Sequence, residues 1–126
     1  MNKETILSKQ APAAIGPYSQ AVKVGSTVYL SGQIPLDPQT GDLVNGDFKS
    51  QAIQVFKNLE AVAEAAGGSL SDAVKLTVYL TDLDNFNLLN DVMAEALSAP
   101  FPARAAVQVS ALPKGASIEI DAVLSL

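Results

Sequence analysis

The sequence predicts an α+β fold in which two helices pack on one face of a mixed β-sheet. Two stretches with apolar residues at helical spacing, residues 47–66 and 82–97, separate segments whose apolar residues alternate as they do in strands. Along the chain, three strands, a helix, a strand, a helix and two strands follow one another, which is typical of an α+β sandwich. The chain has 126 residues, of which 48% are hydrophobic and 17% are charged. We expect a single domain, residues 1–126, with its own core.

The first three strands are expected before the first helix, at residues 5–7, 21–24 and 27–34. Gly16-Pro17 marks a turn in the loop of small residues between the first two strands, because glycine and proline interrupt regular structure. Gly25-Ser26 has the composition of a hairpin turn, so the second and third strands should pair in an antiparallel manner.

Two helices are expected, and each has a stop signal. Asp47 can cap the first helix, because an aspartate side chain accepts hydrogen bonds from the free N–H groups of a helix N-terminus. Gly67-Gly68 ends that helix, and Pro100 ends the second. The positions expected to face the core are Ile53, Phe56, Leu59, Val62, Ala63 and Ala66 in the first helix and Phe86, Leu89, Val92, Met93 and Leu97 in the second.

Three further strands complete the predicted sheet. Residues 74–81 alternate between apolar and polar side chains, as a half-buried strand does, and the last two strands are expected at 103–109 and 117–124. The sheet face away from the helices is then semi-polar, which suits either water or a neighbouring subunit. Its members would include Tyr29, Ser31, Thr77, Tyr79, Thr81 and Glu119.

Arg104 is the only arginine in the chain, and the chain has neither histidine nor cysteine. The two absences exclude a disulfide scaffold, a thiol nucleophile, the usual zinc sites and Ser-His-Asp chemistry. A guanidinium is a planar fork that matches a carboxylate or a phosphate. Arg104 is therefore either the binding group for a small anion or an ordinary surface residue, and its position alone leaves both interpretations open.

The last two strands carry the candidate pair for chemistry. If they are hairpin neighbours, alternation places Arg104 and Glu119 on the same face. Directly opposed residues lie about 5 Å apart and diagonal ones roughly 7–8 Å apart, so both side chains could reach one ligand, with Arg104 as anchor and Glu119 as acid–base group. The alternative is a surface ion pair, worth about 0–1 kcal/mol. The same arrangement would place Ala106 and Asp121 beside the pair, and Val107, Val109, Ile118, Ile120 and Ala122 toward the core.

The charge distribution argues against a nucleic-acid partner. The net charge is −5, and the eight basic residues are scattered without a cluster that could follow a phosphate backbone. A small anionic ligand is still compatible, because one local positive charge can outweigh a diffuse negative field. No apolar stretch resembles a signal peptide or is long enough to span a bilayer, so the cytoplasm is the expected location and no membrane partner is expected.

Separated motifs along nearly the whole chain resemble those of a known family. They are APAAIGPYSQA (11–21), SGQIP (31–35), Gly41, VKLTVYL (74–80), Asn90, FPAR (101–104), LPKG (112–115) and IEIDA (118–122). Taken together and in this order, they resemble the RidA family (reactive intermediate/imine deaminase A, formerly YjgF). Several motifs in the right order are far more specific than any one of them.

The resemblance implies a chorismate-mutase-like fold that assembles as a homotrimer with ligand clefts between subunits. It implies hydrolysis of reactive enamine/imine intermediates, such as 2-aminoacrylate in its 2-iminopropanoate form, to a 2-keto acid and ammonia. No metal and no organic cofactor would be needed. By resemblance, Arg104 would hold the substrate carboxylate, and Glu119 would orient or activate the attacking water. The pocket would be lined by Tyr18, Ser31, Gly32 and Asn90.

The chain departs from the family pattern at two places. Many members carry cysteine where this chain has Ala106, so a thiol-based role at that position is removed, whereas the expected clamp and glutamate are kept. The stretch between Asn90 and Arg104 is also shorter than the family pattern, which affects the expected pocket rim and the role of Asn90.

Three other functions compete with deamination. A trimer could bind a small carboxylate as a metabolite sensor without turning it over. A ribonuclease or translation inhibitor is disfavoured by the acidic composition and the absence of histidine. A chorismate mutase is disfavoured because its dianionic substrate favours more than one arginine.

Overall fold

In the computed structural model, which describes residues 2–126, six strands form one mixed sheet. The strands are β1 (Glu4–Ile6), β2 (Ala21–Val24), β3 (Thr27–Gln33), β4 (Ala73–Leu80), β5 (Ala103–Gln108) and β6 (Ile118–Ser125), and the helices are α1 (Phe48–Ala65) and α2 (Phe86–Ala96). The strand order across the sheet is β1-β2-β3-β6-β4-β5. Buried side chains of the sheet and of both helices form one core, so the predicted α+β class is confirmed.

The hairpin between β2 and β3 forms as predicted. The two strands pair antiparallel, with Val24 opposite Thr27 across the turn. Gly25 has a φ of 61°, a left-handed conformation that glycine adopts without the clash a side chain would cause. β1 then pairs antiparallel with β2 and forms one edge of the sheet.

Helix α1 also matches the prediction. The Asp47 side chain accepts a hydrogen bond from the Ser50 N–H at 2.9 Å. This bond lowers the pKa of Asp47 below its ordinary value. The chain leaves the helix through Gly67, whose φ is 94°. One predicted core position differs, because Ile53 remains 36% exposed while Val55 is fully buried.

Helix α2 is shorter than predicted at both ends. A 3₁₀ turn, Leu83–Asn85, precedes it, and the Asp82 side chain accepts a hydrogen bond from the Asp84 N–H. The backbone is already extended at Leu97, with φ −118° and ψ 161°, so the helix ends before Pro100 is reached. Leu97 is nevertheless buried, in agreement with its predicted inward position.

The expectation that the last two strands are hairpin neighbours is wrong. β4 lies between them, pairing parallel with β5 and antiparallel with β6. The physical reason is that β4, α2 and β5 form a crossover unit, since a helix between two strands returns the second strand parallel to the first. Only after β5 does the chain pass back across β4 to form β6.

This order reverses the predicted face of Arg104. Arg104 lies opposite Leu76, which is fully buried on the helix-bearing face. Glu119 lies opposite Tyr79, on the open face. Arg104 and Glu119 therefore lie on opposite faces of the same sheet, not on one face as predicted.

The inward residue of β5 differs from the prediction for the same reason. Ala106 lies opposite the buried Val78 and packs against the core, whereas Val107 is 44% exposed. Val109 lies beyond the end of β5 and is partly buried. In β4, an extra residue between Ala73 and Lys75 shifts the register, so the predicted inward Val74 is 49% exposed.

Asn58 fastens the loop after β3 to helix α1. Its side chain is 1% exposed, and its Nδ2 donates hydrogen bonds to the carbonyl oxygens of Leu36, at 3.0 Å, and Ile34, at 3.4 Å. Its Oδ1 accepts a hydrogen bond from Gln54 at 2.9 Å. A buried amide with both ends paired fixes this loop to the helix, in addition to the single β-bridge that Leu36 forms with Leu43.

None of the helices within residues 2–126 is both long enough and apolar enough to cross a membrane.

We predict that Asn58→Ala destabilises the fold and loosens this loop. The change leaves loop carbonyl groups near α1 without their donor, which costs about 1–3 kcal/mol. Chemical denaturation measures the loss, and amide hydrogen exchange of residues 34–36 measures the loosening. Lys57→Ala, at an exposed neighbouring position of the same helix, is the control. Equal stabilities of the two variants would contradict the role given to Asn58.

Candidate functional site

The Arg104 side chain lies against helix α2. Its Nη1 donates a hydrogen bond to Asn90 Oδ1 at 2.6 Å and lies 3.5 Å from Met93 Sδ. Its guanidinium carbon lies 4.9 Å from the centroid of the Phe86 ring, within the range of a cation–π contact. Phe86, Asn90 and Met93 follow one another at helical spacing, so they share one side of α2. Two contacts at Nη1 and one between the guanidinium and the Phe86 ring thus hold this group in place.

The other edge of the guanidinium carries hydrogen-bond donors that are free to bind a ligand. Nε and Nη2 of Arg104 have no hydrogen-bond partner within residues 2–126. A cavity of about 240 Å³ opens beside the side chain. A planar fork with free donors beside a cavity can bind a carboxylate through two parallel hydrogen bonds. The cavity is lined by Asn90, Met93, Ala94, Phe101, Pro102 and Arg104.

Glu119 lies in the middle of β6, half-buried on the open face of the sheet. Burial raises the pKa of the Glu119 carboxyl above its ordinary value, and the nearby negative charge of Asp121 raises it further. A carboxyl group with a raised pKa holds a proton to higher pH, which is a property of acid–base groups.

Gly32 makes room for the Glu119 carboxylate. β3 has one more residue than β6 between the pairs Leu30–Ala122 and Gln33–Ile120, so the strand bulges at Ser31-Gly32. A Cβ atom at position 32 would lie 2.6 Å from Oε2 of Glu119, closer than van der Waals contact permits. The absence of a side chain at Gly32 therefore sets the position of the carboxylate.

A second cavity, of about 430 Å³, contains Glu119. Tyr18, which is 52% exposed, is part of its wall and follows a tight turn closed by a hydrogen bond from the Tyr18 N–H to the Gly16 carbonyl. Lys114 lines the same cavity with its backbone in the left-handed region, at φ 59°, and its Nζ donates to the Gly41 carbonyl at 3.0 Å. Most of the remaining lining is apolar: Pro12, Ala13, Ile15, Ile34, Leu36 and Pro113.

Gln20 is a buried part of the wall of this second cavity. The side chain is 2% exposed, and its Nε2 donates to the carbonyl oxygens of Pro12, at 2.8 Å, and Ser8, at 3.1 Å. Its Oε1 accepts a hydrogen bond from the Ser8 N–H at 2.6 Å. These bonds fix the N-terminal loop against β2, so the cavity wall is a defined surface.

The six predicted site residues divide into two groups within one chain. Tyr18, Gly32 and Glu119 line the second cavity, and Asn90 and Arg104 line the first. Ser31 lies next to the second cavity, but its hydroxyl donates a hydrogen bond to the Ser19 carbonyl at 2.6 Å. Neither of these two cavities contains both Arg104 and Glu119.

Sequence reasoning did not find every residue that supports the two cavities. Phe86 and Met93 were expected only in the core, yet both touch Arg104. Their spacing from Asn90 was the available signal. Lys114 and Gln20 lie within the motifs but had no expected role. Their hydrogen bonds to backbone carbonyl groups join segments that are distant in the sequence, so only the structure reveals them.

The sequence and the fold are similar to those of several known proteins. Residues 8–125 match the family model described as Endoribonuclease L-PSP. The crystal structure of RidA from an Antarctic Psychrobacter species is 59% identical in sequence, with a TM-score of 0.95 over 98% of this chain and 99% of that chain. The human 2-iminobutanoate/2-iminopropanoate deaminase is 49% identical over 96% of this chain and 88% of its own length. The crystal structure of Escherichia coli TdcF with bound serine is 41% identical, with a TM-score of 0.90 over 98% of each chain.

We predict that Gly32→Ala moves the Glu119 carboxylate while leaving the fold intact. The new methyl group would meet the end of a flexible side chain, which can turn away, and not the backbone. A crystal structure of the variant measures the displacement. The same substitution in a Glu119→Ala background is the control, because it has no carboxylate to meet. An unmoved Glu119 would contradict the role given to Gly32.

We predict that the stability of the Glu119→Gln variant, measured relative to that of the native protein, increases as pH rises. The folded-state pKa of Glu119 lies above its ordinary value of 4.5, so the folded protein binds this proton more tightly than the unfolded chain. Stability contributed by the protonated form is lost as pH rises from near 4.5 through the raised pKa, and a glutamine has no such loss. Melting temperatures of both proteins from about pH 4 to about pH 7 measure the difference. A difference that is constant with pH would contradict the environment described for Glu119.

Proposed function

Because the chain belongs to the RidA (YjgF) family, we propose that it hydrolyses reactive enamine/imine intermediates, such as 2-iminopropanoate, to a 2-keto acid and ammonia. The observation that carries this proposal is the pair of cavities. One presents a guanidinium with a free edge, and the other presents a half-buried carboxyl group with a raised pKa. These are the two groups that hydrolysis of an imino acid needs: an anchor for its carboxylate and an acid–base group for water.

The reaction requires little beyond binding and proton transfer. Arg104 holds the substrate carboxylate with its free edge, which places the C=N carbon. Glu119 accepts a proton from a water molecule as the water oxygen bonds to that carbon, and the electron pair of the C=N bond moves to nitrogen, which then takes that proton from Glu119. Glu119 next carries the hydroxyl proton of the tetrahedral intermediate to the same nitrogen, and ammonia leaves as the C=O bond forms. Because the imine carbon is already electrophilic, neither histidine nor cysteine is required.

The proposed site is shared between two copies of the chain. Arg104 and Glu119 lie on opposite faces of one sheet, so a ligand that touches both is best accommodated where the Arg104 cavity of one copy meets the Glu119 cavity of another. A homotrimer with clefts between subunits, the assembly that the family resemblance implies, offers such junctions. Asn90 orients Arg104 from its own subunit, while Tyr18 and the backbone at Ser31-Gly32 border the carboxylate.

A carboxylate sensor without turnover is the second candidate, and the crystal structure of TdcF with bound serine favours it. A small-molecule site that binds an amino acid does not by itself require catalysis. The endoribonuclease named in the family model is less compatible with this chain, which has no histidine and a net charge of −5.

We predict that Arg104→Lys and Arg104→Ala lower kcat/KM for imine hydrolysis by about 10- to 100-fold, because a charged hydrogen-bonding anchor is lost or reduced to a point charge. Glu119→Gln should lower kcat by roughly 10²- to 10⁴-fold. An amino-acid oxidase or lyase generates the imine, and release of keto acid and ammonia is followed with and without the protein. Lys57→Ala, at an exposed position that lines neither cavity, is the control.

The outcomes separate the candidates. Acceleration by the native protein that is lost in the Arg104 and Glu119 variants, with the oligomer intact by sizing, supports deamination. Binding of a small carboxylate without any acceleration would support the sensor and contradict deamination. Cleavage of RNA that survives in the Glu119→Gln variant would point to a separate activity.

A further inference from the structure

Two residues outside the expected site surround Glu119 on the open face of the sheet. Asp121 lies two residues further along β6, on the same side of the strand, at about 6–7 Å between Cα atoms. Tyr79 lies directly opposite Glu119 on β4. Its hydroxyl donates a hydrogen bond to Asp121 Oδ2 at 3.0 Å.

We propose that Asp121, held in place by Tyr79, is a positioning residue that keeps a proton on Glu119 to higher pH than burial alone would. The hydrogen bond fixes the Asp121 carboxylate on the face that Glu119 occupies, so its negative charge opposes ionisation of its neighbour. This effect on Glu119 is independent of any reaction. Only its consequence for turnover rests on the proposed function.

The electrostatic surroundings of Glu119 agree with this arrangement. Asp121 is the charged group that raises the pKa of Glu119, in addition to burial. The pKa of Tyr79 is itself raised, chiefly by its hydrogen bond to Asp121, so the phenol remains a donor at neutral pH.

Other ionisable groups near Glu119 do not replace this effect. Tyr18 and Lys114 line the same cavity, but neither contributes to the raised pKa of Glu119. β3 contributes the bulge at Ser31-Gly32, where no side chain ionises. Within residues 2–126, Asp121 is the acidic residue that follows Glu119 on the open face of β6, and the ionisable side chains of Tyr29 and Lys75 lie further along that face, opposite Val123.

The consequence for catalysis follows from the demands of proton transfer. An acid–base group works best when its pKa lies near the working pH, because it must both accept and return a proton in each cycle. An isolated glutamate in water titrates well below neutrality. Burial beside Gly32 and repulsion from Asp121 both raise the pKa of Glu119. Together they bring this pKa closer to a neutral working pH.

The test measures the titration of Glu119 directly. Carbon NMR of the carboxyl groups in the full-length native protein gives the midpoint of Glu119, assigned by its disappearance in Glu119→Gln. In Asp121→Asn we expect the midpoint to fall by roughly half a pH unit, the shift that two unit charges about 7 Å apart produce in a water-like dielectric. Asp121→Glu, which keeps the charge, should restore most of the native midpoint.

Glu64→Gln is the matched control, because it removes one negative charge at an exposed position on α1. It should leave the Glu119 midpoint unchanged. An unchanged midpoint in Asp121→Asn, or an equal shift in Glu64→Gln, would overturn the proposal. If Asp121→Asn does not fold, Tyr79→Phe takes its place, because loss of the hydroxyl frees Asp121 to turn toward solvent. The Glu119 midpoint should then fall by a smaller amount. An unchanged midpoint in Tyr79→Phe would contradict the proposal.

The pH–rate profile links the titration to turnover. Its acid limb should shift downward in Asp121→Asn by the same amount as the NMR midpoint. If the native protein hydrolyses no imine, the proposed function fails, while the titration still decides whether Asp121 acts on Glu119. If turnover is present and the acid limb does not move, the role of Asp121 in the reaction is contradicted.

Discussion

The crossover from β4 through α2 to β5 determines where the chemistry of this protein can occur. It inserts β5 at the sheet edge beside β4, while β6 takes the other side of β4. Because paired residues in neighbouring strands point to the same face, this order directs Arg104 toward the helices and Glu119 toward the open face. A single subunit therefore presents Arg104 and Glu119 separately, and in the proposed function their cooperation depends on how copies of the chain meet.

Each half of the proposed site has its own structural support. On the Arg104 side, a helix supplies the contacts, and the side chains of Phe86, Asn90 and Met93 restrict the guanidinium at one edge. On the Glu119 side, buried amides fix the loops of the cavity wall: Gln20 bonds the N-terminal loop, and Asn58 bonds the loop after β3. Buried polar groups are stable only when their hydrogen bonds are satisfied, so the same bonds that stabilise the fold also define the cavity.

The sequence predicted what local signals determine. A few neighbouring residues determine each of three features that form as predicted: the Asp47 cap, the Gly25-Ser26 turn and the alternation in β4. The neighbours of β5 could not be deduced from alternation, because pairing across the sheet is a choice between distant segments. The strand–helix–strand order around α2 was the signal for a parallel pairing.

The candidate site was identified by family motifs more than by physics. Composition and strand alternation marked Arg104 and Glu119 as candidates but left a surface ion pair as the alternative. The resemblance strengthened this pair and supplied the residues expected to line the pocket, and only coordinates showed that Arg104 and Glu119 lie in different cavities. Phe86, Gln20 and Asp121 had no expected role, because their contacts join segments far apart in the sequence. The bulges in β3 and β4 likewise depend on the partner strands and leave no periodic trace.

Mixed oligomers test the shared site most directly. Arg104→Ala and Glu119→Gln subunits, each with strongly reduced activity alone, are unfolded together, refolded at equal concentrations and assayed for imine hydrolysis. If Arg104 and Glu119 act across a junction between copies, random mixing gives one intact pair at about a quarter of the junctions, half times half, and about a quarter of native activity returns. If both residues served a site within one subunit, every site would lack one of them, and the mixture would stay as inactive as its components.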